Sequence, residues 1–393
     1  MKIILVHNKY QQAGGEDLVF HSEGELLQQH GHEVEYVIFD NKDIKTTIDK
    51  WLSGIKVVYN TGSYRRLGKV ITAFKPDIIH IHNFVPLASP SIFFAAKRYN
   101  IPVVVTLHNY RLICPSATLF HNDSIYEKSV HASFPWDAIK KGIYRNSRLQ
   151  TAALAIATRF HNVIGTWQDK VNKFIVLTEF ARRRFEDSVL KTAPGAFEVK
   201  PNFVVDHGVG KAVRENFFLY VGRLTEEKGL STLLESAKKY QYKLVIIGDG
   251  PLRDAVMSFA QSNGNLSYLG YKPKDVIMEY MKKCNALIFP STWYEGFPMT
   301  ILEAFSAGTP VIASRLGSMA EIVQDNVNGL HFNAGDADDL IEKLKIASTR
   351  PGLMEKLARN ARENYLKHYT AEINYKLLID IYHRVLKKDL KAI

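Results

Sequence analysis

The sequence predicts an α/β protein built from two doubly wound domains. Short apolar, β-branched runs alternate with amphipathic stretches along the whole chain, which is typical of parallel sheets covered by helices. The alternation starts again beyond residue 216, so two such series follow one another. A length of 393 residues, with 46% hydrophobic and 23% charged residues, is ordinary for a soluble globular chain of about two to three domains.

The first series contains six candidate strands and two clear helical patterns. The predicted strands are residues 3–6, 34–39, 56–59, 78–81, 102–107 and 174–177, and the predicted helices are residues 16–30 and 90–99. Residues 114–148 lack a clean period and contain Pro115 and Pro135, so we expect an inserted loop or lid there.

The second series repeats the pattern. Its predicted strands are residues 217–221, 243–247, 286–289 and 311–313, and its predicted helices are residues 230–240, 252–261 and 301–307. Pro201, Gly208 and Gly210 mark a change of pattern between residues 200 and 216. We therefore expect an N-terminal domain of residues 1–205 and a C-terminal domain of residues 206–372, followed by a helix over residues 375–390.

Cysteine content and hydropathy exclude several classes of protein. Cys114 and Cys284 lie far apart and outside any metal-ligand spacing, which argues against a disulfide scaffold or a zinc site. The apolar run at the amino terminus is too short for a signal peptide, and we expect no transmembrane helix. A cytoplasmic location is expected.

Positive charge is concentrated in one segment. The chain carries a formal charge of +11, and residues 128–191 hold 12 Lys/Arg against 5 Asp/Glu, a local excess of +7. Aromatic residues lie among these charges: Phe134, Trp136, Tyr144, Phe160 and Trp167. A solvated helical face and a surface for anionic lipid or an anionic acceptor both remain open. No nucleic-acid-binding motif accompanies the charge, so we expect no nucleic-acid partner.

Ligands of doubly wound folds bind outside the carboxyl ends of the strands, so the loops there carry the candidate site residues. Gly14 and Gly15 precede the first helix and let backbone amides approach a phosphate, although a plain glycine turn is the alternative. Their spacing is not G-x-G-x-x-G, which makes Asp40 a weak candidate for a dinucleotide-binding acid.

Arg223 and Lys228 lie in a loop that opens a helix, where negative side chains are preferred. Two cations there are favourable if an anion such as a diphosphate lies between them. The alternative is that they pair with Glu226 and Glu227 at the surface.

The loop after residues 286–289 leads into another helix. Pro298 suits a first helical turn, which predicts free amides at Met299, Thr300 and Ile301 as phosphate donors. Glu303 lies on an apolar segment and needs a partner, either vicinal ribose hydroxyls or a neighbouring backbone group.

Three further features are weaker signals. His108 ends an apolar strand and is either a ligand contact or a structural histidine, and Gly248 lies in a turn after a strand. Asp336 and Asp338 open a helix, where aspartates act as caps, so we do not expect a metal there.

Taken together, these segments resemble the retaining GT-B glycosyltransferases of family 4. The resemblance rests on the E-x7-E motif from Glu295 to Glu303, on residues 222–229, on Gly248-Asp249-Gly250-Pro251 and on Gly14-Gly15. Residues 108–115 and 200–203 are similar to the branch that builds bacterial exopolysaccharide, capsule and lipopolysaccharide. That branch usually has a glycine soon after Cys-Pro, where Ser116-Ala117-Thr118 follow here.

The resemblance implies two Rossmann-like domains facing a central cleft, with a nucleotide-sugar donor held mostly by the C-terminal one. It also implies that residues 373–393 pack back on the N-terminal domain. The implied roles are diphosphate neutralisation by Arg223 and Lys228; ribose binding by Glu303; sugar binding by Glu295 and the backbone of Gly296, Phe297, Pro298, Met299 and Thr300; diphosphate contact by Gly14 and Gly15; sugar contact by His108; and contact with the base by Tyr271 and Lys272.

The expected activity is therefore retaining sugar transfer from a nucleotide diphosphate sugar, with UDP favoured over GDP. No metal or other cofactor is expected, because fixed cations can neutralise the diphosphate. The expected acceptor is a saccharide or a lipid-linked saccharide, and the basic segment 128–191 favours a peripheral contact with the inner face of the cell membrane. A nucleotide-sugar epimerase and a non-catalytic relative are the alternatives.

Overall fold

The computed structural model describes residues 1–9, 14–41, 56–210 and 214–389, without the side chains of residues 388 and 389. The chain divides into two compact units. The N-terminal unit consists of residues 1–121, 126–201 and 374–393, and the C-terminal unit of residues 122–125 and 202–373. Each unit is organised around a six-stranded sheet whose described pairings are all parallel, which confirms the predicted α/β class.

The sheet of the N-terminal unit has the order β2-β1-β3-β4-β7-β8. Its strands are β1 Lys2–Lys9, β2 Glu33–Asp40, β3 Ile78–Ile81, β4 Val103–Leu107, β7 Lys173–Val176 and β8 Phe197–Val199. Its helices are α1 Gly15–Gln29, α2 Thr61–Phe74, α3 Ser91–Arg98, α4 Trp136–Lys141, α5 Arg148–Val163, α6 Thr166–Asp169, α7 Glu179–Glu186 and the C-terminal helix Ala371–Asp389. The strand order reverses between β1 and β3, so the loops after these two strands flank a switch point.

One face of this sheet is covered by α1 and by the C-terminal helix. Ile3 and Leu5 of β1 pack with Phe20 of α1 and with Leu378 and Tyr382 of the C-terminal helix in one buried cluster. The predicted strand 56–59 is wrong, because these residues form a turn before α2. Val57 is nevertheless buried, in a small cluster with Leu154 and Ala157, which accounts for its apolar character.

The segment expected to be a loop contains little regular structure. It holds the two-stranded sheet of β5 Phe120–His121 and β6 Ser124–Ile125, and the short helix α4. Ala117, in the segment that follows Cys114-Pro115, adopts a left-handed φ of 69°. Its amide and carbonyl hydrogen-bond Cys114 and Tyr110, which holds that conformation in place.

The sheet of the C-terminal unit has the order β11-β10-β9-β12-β13-β14. Its strands are β9 Phe218–Val221, β10 Leu244–Ile247, β11 Leu266–Tyr268, β12 Ala286–Phe289, β13 Val311–Ser314 and β14 Gly329–Phe332. Its helices are α8 Leu230–Lys239, α9 Arg253–Ser262, α10 Lys274–Lys283, α11 Met299–Ser306, α12 Gly317–Ile322, α13 Ala337–Thr349 and α14 Pro351–His368. The helix that follows in sequence, Ala371–Asp389, is α15.

Alternate residues of this sheet enter two separate cores. Leu219 and Leu287 pack on the face that carries Leu302 and Phe305 of α11. Phe218 and Ile288 pack on the opposite face with Leu233 of α8. Because both faces are buried, the strands read as continuous apolar runs in the sequence. The order reverses between β9 and β12, which makes the loops after these strands the switch point of this unit.

Candidate active site

The loops that follow β9 and β12 are pressed against each other at the switch point of the C-terminal unit. The amide of Thr292 donates to the carbonyl of Glu227 at 2.9 Å, and the hydroxyl of Ser291 donates to the same carbonyl at 3.1 Å. Gly229 has a φ of 72°, and a Cβ on it would lie 1.8 Å from the carbonyl oxygen of Pro290. Only glycine allows this approach, which brings the two loops into one site.

Lys228 and Glu295 form the centre of this site. The Lys228 Nζ lies 2.7 Å from Oε1 and 3.0 Å from Oε2 of Glu295. The Ser291 hydroxyl donates to Oε1 at 2.7 Å, and the Ser318 hydroxyl donates to the backbone carbonyl of Glu295 at 2.6 Å. Glu295 is only 6% exposed, so this ion pair and these hydrogen bonds fix a buried carboxylate. Ser291 and Ser318 had no signal in the sequence, because lone serines in loops are common.

Arg223 is exposed and forms no ion pair within the described part of the chain. Its backbone carbonyl accepts a hydrogen bond from Tyr220 Oη at 2.9 Å, which fixes its main chain. The alternative pairing with Glu226 and Glu227 is not found, since Lys228 pairs with Glu295 and Glu226 accepts from Ser231. Arg223 is therefore a cation of the site without an acidic partner among the described residues.

The amino end of α11 supplies fewer free amides than expected. The helix begins at Met299, directly after Pro298, and the amide of Ile301 donates to the carbonyl of Pro298 at 3.0 Å. The expectation of a free amide at Ile301 is therefore wrong, because a tight first turn already uses it. The amides of Met299 and Thr300 have no acceptor among the described residues.

Three side chains of this loop face inward. Phe297 and Met299 pack on the core, and Phe297 contacts the ring of Tyr369 edge-on at 6.3 Å between centroids. Ile301 is fully buried. Because these side chains face the core, a ligand can contact this loop mainly through the backbone of residues 296–300.

The second carboxylate of the E-x7-E motif, Glu303, pairs with Lys274 at the start of α10. Glu303 is 7% exposed, and its partner is a cation from another helix and not a neighbouring backbone group. Sequence reasoning missed Lys274, because a lysine at a helix start has no distinctive spacing to the motif.

Glycines bring the ends of β9, β10 and β11 together. Gly248 has a φ of 152°, and a Cβ on it would lie 1.8 Å from the carbonyl oxygen of Gly222. Its amide donates to the carbonyl of Gly270 at 3.0 Å. Tyr271, which is 78% exposed, and Lys272 follow directly and precede Lys274. The predicted base-binding residues therefore lie in the same turn that leads to the partner of Glu303.

In the N-terminal unit, the amide of Gly14 is already occupied. It donates to Asp17 Oδ2 at 2.8 Å, and Asp17 Oδ1 contacts His7 Nε2 at 2.9 Å. The cap formed by Asp17 therefore uses the Gly14 amide. The amide of Gly15 has no acceptor among the residues that the structure describes.

His108 follows β4 and is half-buried. Its Nε2 lies 3.0 Å from Nδ1 of His82. Burial lowers the pKa of His108 well below its usual value, and His82 and His7 act in the same direction. We therefore expect a neutral imidazole at neutral pH.

The basic segment carries an exposed apolar stripe on α5. Leu149, Ile156, Phe160 and Val163 are between 46% and 76% exposed, and their spacing places them on one helix face. Among the aromatic residues noted in the sequence, Trp136 is also exposed, whereas Trp167 is buried in the core. No described helix is both long and apolar enough to cross a membrane.

Comparison with known proteins agrees with this geometry. Residues 13–205 match the model of Glycosyltransferase Family 4, and residues 206–364 match that of Glycosyl transferases group 1. The glycosyltransferase MJ1178 of Methanocaldococcus jannaschii, itself uncharacterized, is 26% identical over 92% of this chain and 93% of that protein. O-antigen chain mannosyltransferase C of Escherichia coli is 28% identical over 45% of this chain and 49% of its own length.

Among solved structures, Anabaena HepE in complex with UDP and glucose superposes with a TM-score of 0.65. It shares 17% identity, with 96% of this chain and 98% of HepE covered, so the likeness concerns the fold. The two parallel α/β units, the two carboxylates of the E-x7-E motif and both family matches indicate the same family. This chain belongs to the GT-B glycosyltransferases of family 4.

Proposed function

We propose that this glycosyltransferase moves a sugar from a UDP-sugar to a saccharide or lipid-linked saccharide acceptor in cell-surface polysaccharide synthesis. Transfer occurs with retention and without a bound metal. The observation that carries the proposal is the pairing of the two loops at the C-terminal switch point. There Lys228 is fixed to the loop that leads into α11, and Arg223 keeps an unneutralised positive charge.

The chemistry follows from where charge develops. Breaking a glycosyl–phosphate bond leaves negative charge on the diphosphate and positive charge on the sugar. Arg223, Lys228 and the amides of Met299 and Thr300 stabilise the first, and the Glu295 carboxylate lies beside them for the second. Fixed cations perform the neutralisation that a metal ion provides in other transferases.

The other residues serve recognition. Glu303 holds the ribose hydroxyls, and without a ligand its carboxylate pairs with Lys274. Tyr271 and Lys272 flank the base, and the glycine contacts of Gly248 shape the turn that presents them. His108 and the Gly15 amide act on the sugar and the diphosphate.

Support for UDP and for the pathway comes from relatives. HepE was solved with UDP and glucose, and an O-antigen mannosyltransferase is among the similar sequences. These are properties of those proteins, which make UDP-sugars and surface polysaccharides the first substrates to test.

Thermal unfolding with UDP, GDP and their sugar conjugates tests the donor site, since a ligand that binds only the folded state raises the Tm. We expect UDP to raise the Tm of the wild type. Arg223→Ala removes a charge-assisted contact and should weaken UDP binding about tenfold to a hundredfold. Arg359→Ala, an exposed arginine elsewhere in the same unit, is the control and should bind as the wild type does. An unchanged affinity of Arg223→Ala would contradict the proposed site.

Turnover assays test the reaction. We expect UDP release to depend on an added acceptor, to persist in EDTA and to be abolished by Glu303→Ala. Strict dependence on Mg²⁺ or Mn²⁺ would refute the metal-independent mechanism. Conversion of the UDP-sugar without UDP release would show an epimerase instead.

We further propose that α5 contacts an anionic membrane surface. Its exposed stripe of Leu149, Ile156, Phe160 and Val163 starts next to Arg145 and Arg148, both exposed, and this combination fits an interfacial helix. At low salt, the wild type should float with phosphatidylglycerol–phosphatidylcholine vesicles and Phe160→Asp should not. Leu366→Asp, which alters an exposed leucine of the C-terminal unit, is the control. Failure of the wild type to float with these vesicles would contradict the proposed membrane contact.

A further inference from the structure

A buried chain of polar side chains runs through the N-terminal unit and ends at His108. Lys200 Nζ donates to Glu23 Oε2 at 2.7 Å, Glu23 Oε1 lies 3.1 Å from His82 Nε2, and His82 Nδ1 lies 3.0 Å from His108 Nε2. Lys200 and Glu23 are each 1% exposed and His82 is 3% exposed. We call Lys200, Glu23, His82 and His108 the relay.

The four members come from different elements. Glu23 lies on α1, His82 follows β3, His108 follows β4 and Lys200 follows β8. Asn374 of α15 accepts a second hydrogen bond from Lys200 at 3.2 Å. The arrangement therefore exists only in the folded unit.

Glu23, His80 and His82 are close enough to suggest a metal site, since one ligand atom of each lies within 4.8 Å of the others. Lys200 argues against it. Its ammonium group already neutralises the Glu23 carboxylate at hydrogen-bond distance, so a metal would add a second cation to a buried site. Both nitrogens of His80 also have partners among the side chains. Nδ1 lies 2.7 Å from Tyr382 Oη and 3.2 Å from Glu23 Oε1, and Nε2 lies 2.7 Å from Thr106 Oγ1.

The protonation pattern of the relay follows from its charged end. Burial alone would raise the pKa of Glu23, but Lys200 and the hydrogen bonds from His80 and His82 outweigh it and hold that pKa well below its usual range. Glu23 is thus a carboxylate and can only accept. His82 must carry its proton on Nε2 to donate to it.

The neutral His82 ring carries a single N–H proton, and the hydrogen bond to Glu23 uses it. Burial, with His80 next in size, lowers the pKa of His82 to about 3, so the ring is neutral and its Nδ1 is a bare acceptor. His108 must then carry its own proton on Nε2 and donate it to His82. The proton position on His108 is consequently determined by Glu23 and Lys200 through His82.

We propose that Lys200, Glu23 and His82 are positioning residues that hold His108 as the Nε2-protonated tautomer, with a lone pair on Nδ1. His108 Nδ1 has no hydrogen-bond partner within the described residues. A lone pair there accepts a hydrogen bond from a hydroxyl group and repels a phosphate oxygen. His108 therefore recognises a sugar hydroxyl of the ligand and does not contribute to anion binding. This specificity rests on the proposed function, whereas the tautomer does not.

Glu23→Gln tests the relay because it should reverse the proton positions on the His82 and His108 rings. Lys200 will keep the amide oxygen at its own side, so the amide NH2 faces His82 Nε2 and donates to it. His82 then carries its proton on Nδ1 and donates to His108 Nε2, which places the His108 proton on Nδ1. In long-range ¹H–¹⁵N spectra of histidine-labelled full-length protein, assigned with His108→Gln, the wild type should show an imine-type Nδ1 and a pyrrole-type Nε2. Glu23→Gln should show the reverse.

Glu198→Gln is the matched control. Glu198 pairs with Lys173 in the same unit but does not contact His108, so the spectrum of His108 should stay as in the wild type. A wild type with a proton on His108 Nδ1, or a Glu23→Gln spectrum identical to the wild type, would overturn the proposal. Should Glu23→Gln not fold, the wild-type spectrum decides the tautomer. His82→Asn then replaces it and should leave His108 with both tautomers populated.

Activity separates the relay from the proposed function. If sugar transfer is observed, Glu23→Gln should lower kcat/KM about tenfold to a hundredfold, because the inverted ring presents a donor to a hydroxyl that needs an acceptor. Glu198→Gln should retain wild-type kcat/KM. The expected spectra without any transfer would refute the proposed function alone, and unchanged transfer by a correctly inverted variant would refute the role of His108 in recognition.

Discussion

At the scale of single residues, the site depends on how a buried carboxylate is compensated. Glu295 combines low exposure with one ion pair to Lys228 and one hydrogen bond from Ser291. The Lys228 side chain is itself 24% exposed, so water screens part of the attraction. Removing the cation still leaves a carboxylate in a site that cannot hydrate it fully.

Lys228→Met should therefore lower the free energy of unfolding by about 1–2 kcal/mol, measured by urea denaturation. Glu295→Gln combined with Lys228→Met should recover part of this loss, because the neutral amide no longer needs a cation. Lys345→Met, which breaks an exposed pair with Glu342, serves as the control and should cause no measurable change. Equal effects of the two lysine substitutions would show that the Glu295 site is hydrated.

At the scale of elements, the site depends on a close approach between the backbones of two loops. Gly229 and Pro290 approach so closely that any Cβ at Gly229 must move one loop. Lys228 precedes this glycine and Glu295 lies in the other loop, so their ion pair depends on the approach.

Gly229→Ala should destabilise the C-terminal unit by more than about 2 kcal/mol and weaken UDP binding, since strain adds to a steric clash. Gly335→Ala isolates the strain, because Gly335 has a φ of 82° and nothing within 4 Å of its would-be Cβ. It should cost about 1 kcal/mol and leave UDP binding unchanged. Thermal unfolding and UDP titration of both variants check this, and the same UDP affinity in both would argue against the loop contact as the basis of the site.

At the scale of the whole molecule, the two units differ in their buried histidines. His7, His80, His82 and His161 are all fully or almost fully buried, and all belong to the N-terminal unit. Around His82 lie Glu23, His80, His7 and His108, and Glu23 in turn pairs with Lys200. Burial lowers the pKa of His82 to about 3. The unfolded chain binds a proton on this ring near pH 6.5, whereas the folded unit does not.

The stability that His82 contributes is thus present above pH 6.5 and is lost as the pH falls from 6.5 toward 3. We expect the contribution of His82 to lower the free energy of unfolding of the N-terminal unit by about 1.4 kcal/mol for each pH unit in this range. Hydrogen exchange of the amides of β1 and β3 between pH 7 and pH 4.5, corrected for intrinsic rates, measures it. His82→Gln should reduce the pH dependence of the free energy of unfolding by the contribution of about one proton. His131→Gln, which alters an exposed histidine, should leave that pH dependence unchanged. An unchanged slope in His82→Gln would contradict the assignment.

Strands could be predicted from the sequence where the local hydrophobic pattern was strong. Residues 78–81 and 286–289 are continuous apolar runs and were predicted with their observed bounds as β3 and β12. Strands β11 and β14 were missed, because three or four residues with glycine or polar neighbours carry little periodicity. The turn at residues 56–59 has the apolar composition of a strand, but its burial comes from packing against α5.

The sequence by itself determined the class of fold, the family and the loops that carry the E-x7-E carboxylates, because strand periodicity, glycine turns and motif spacing are local properties. Only the tertiary structure decided the partners of those carboxylates. Lys228 reaches Glu295 across 67 positions and Lys200 reaches Glu23 across 177, and no spacing rule connects them. Partner choice follows from which strands and helices the fold places side by side, and that arrangement is a property of the folded chain.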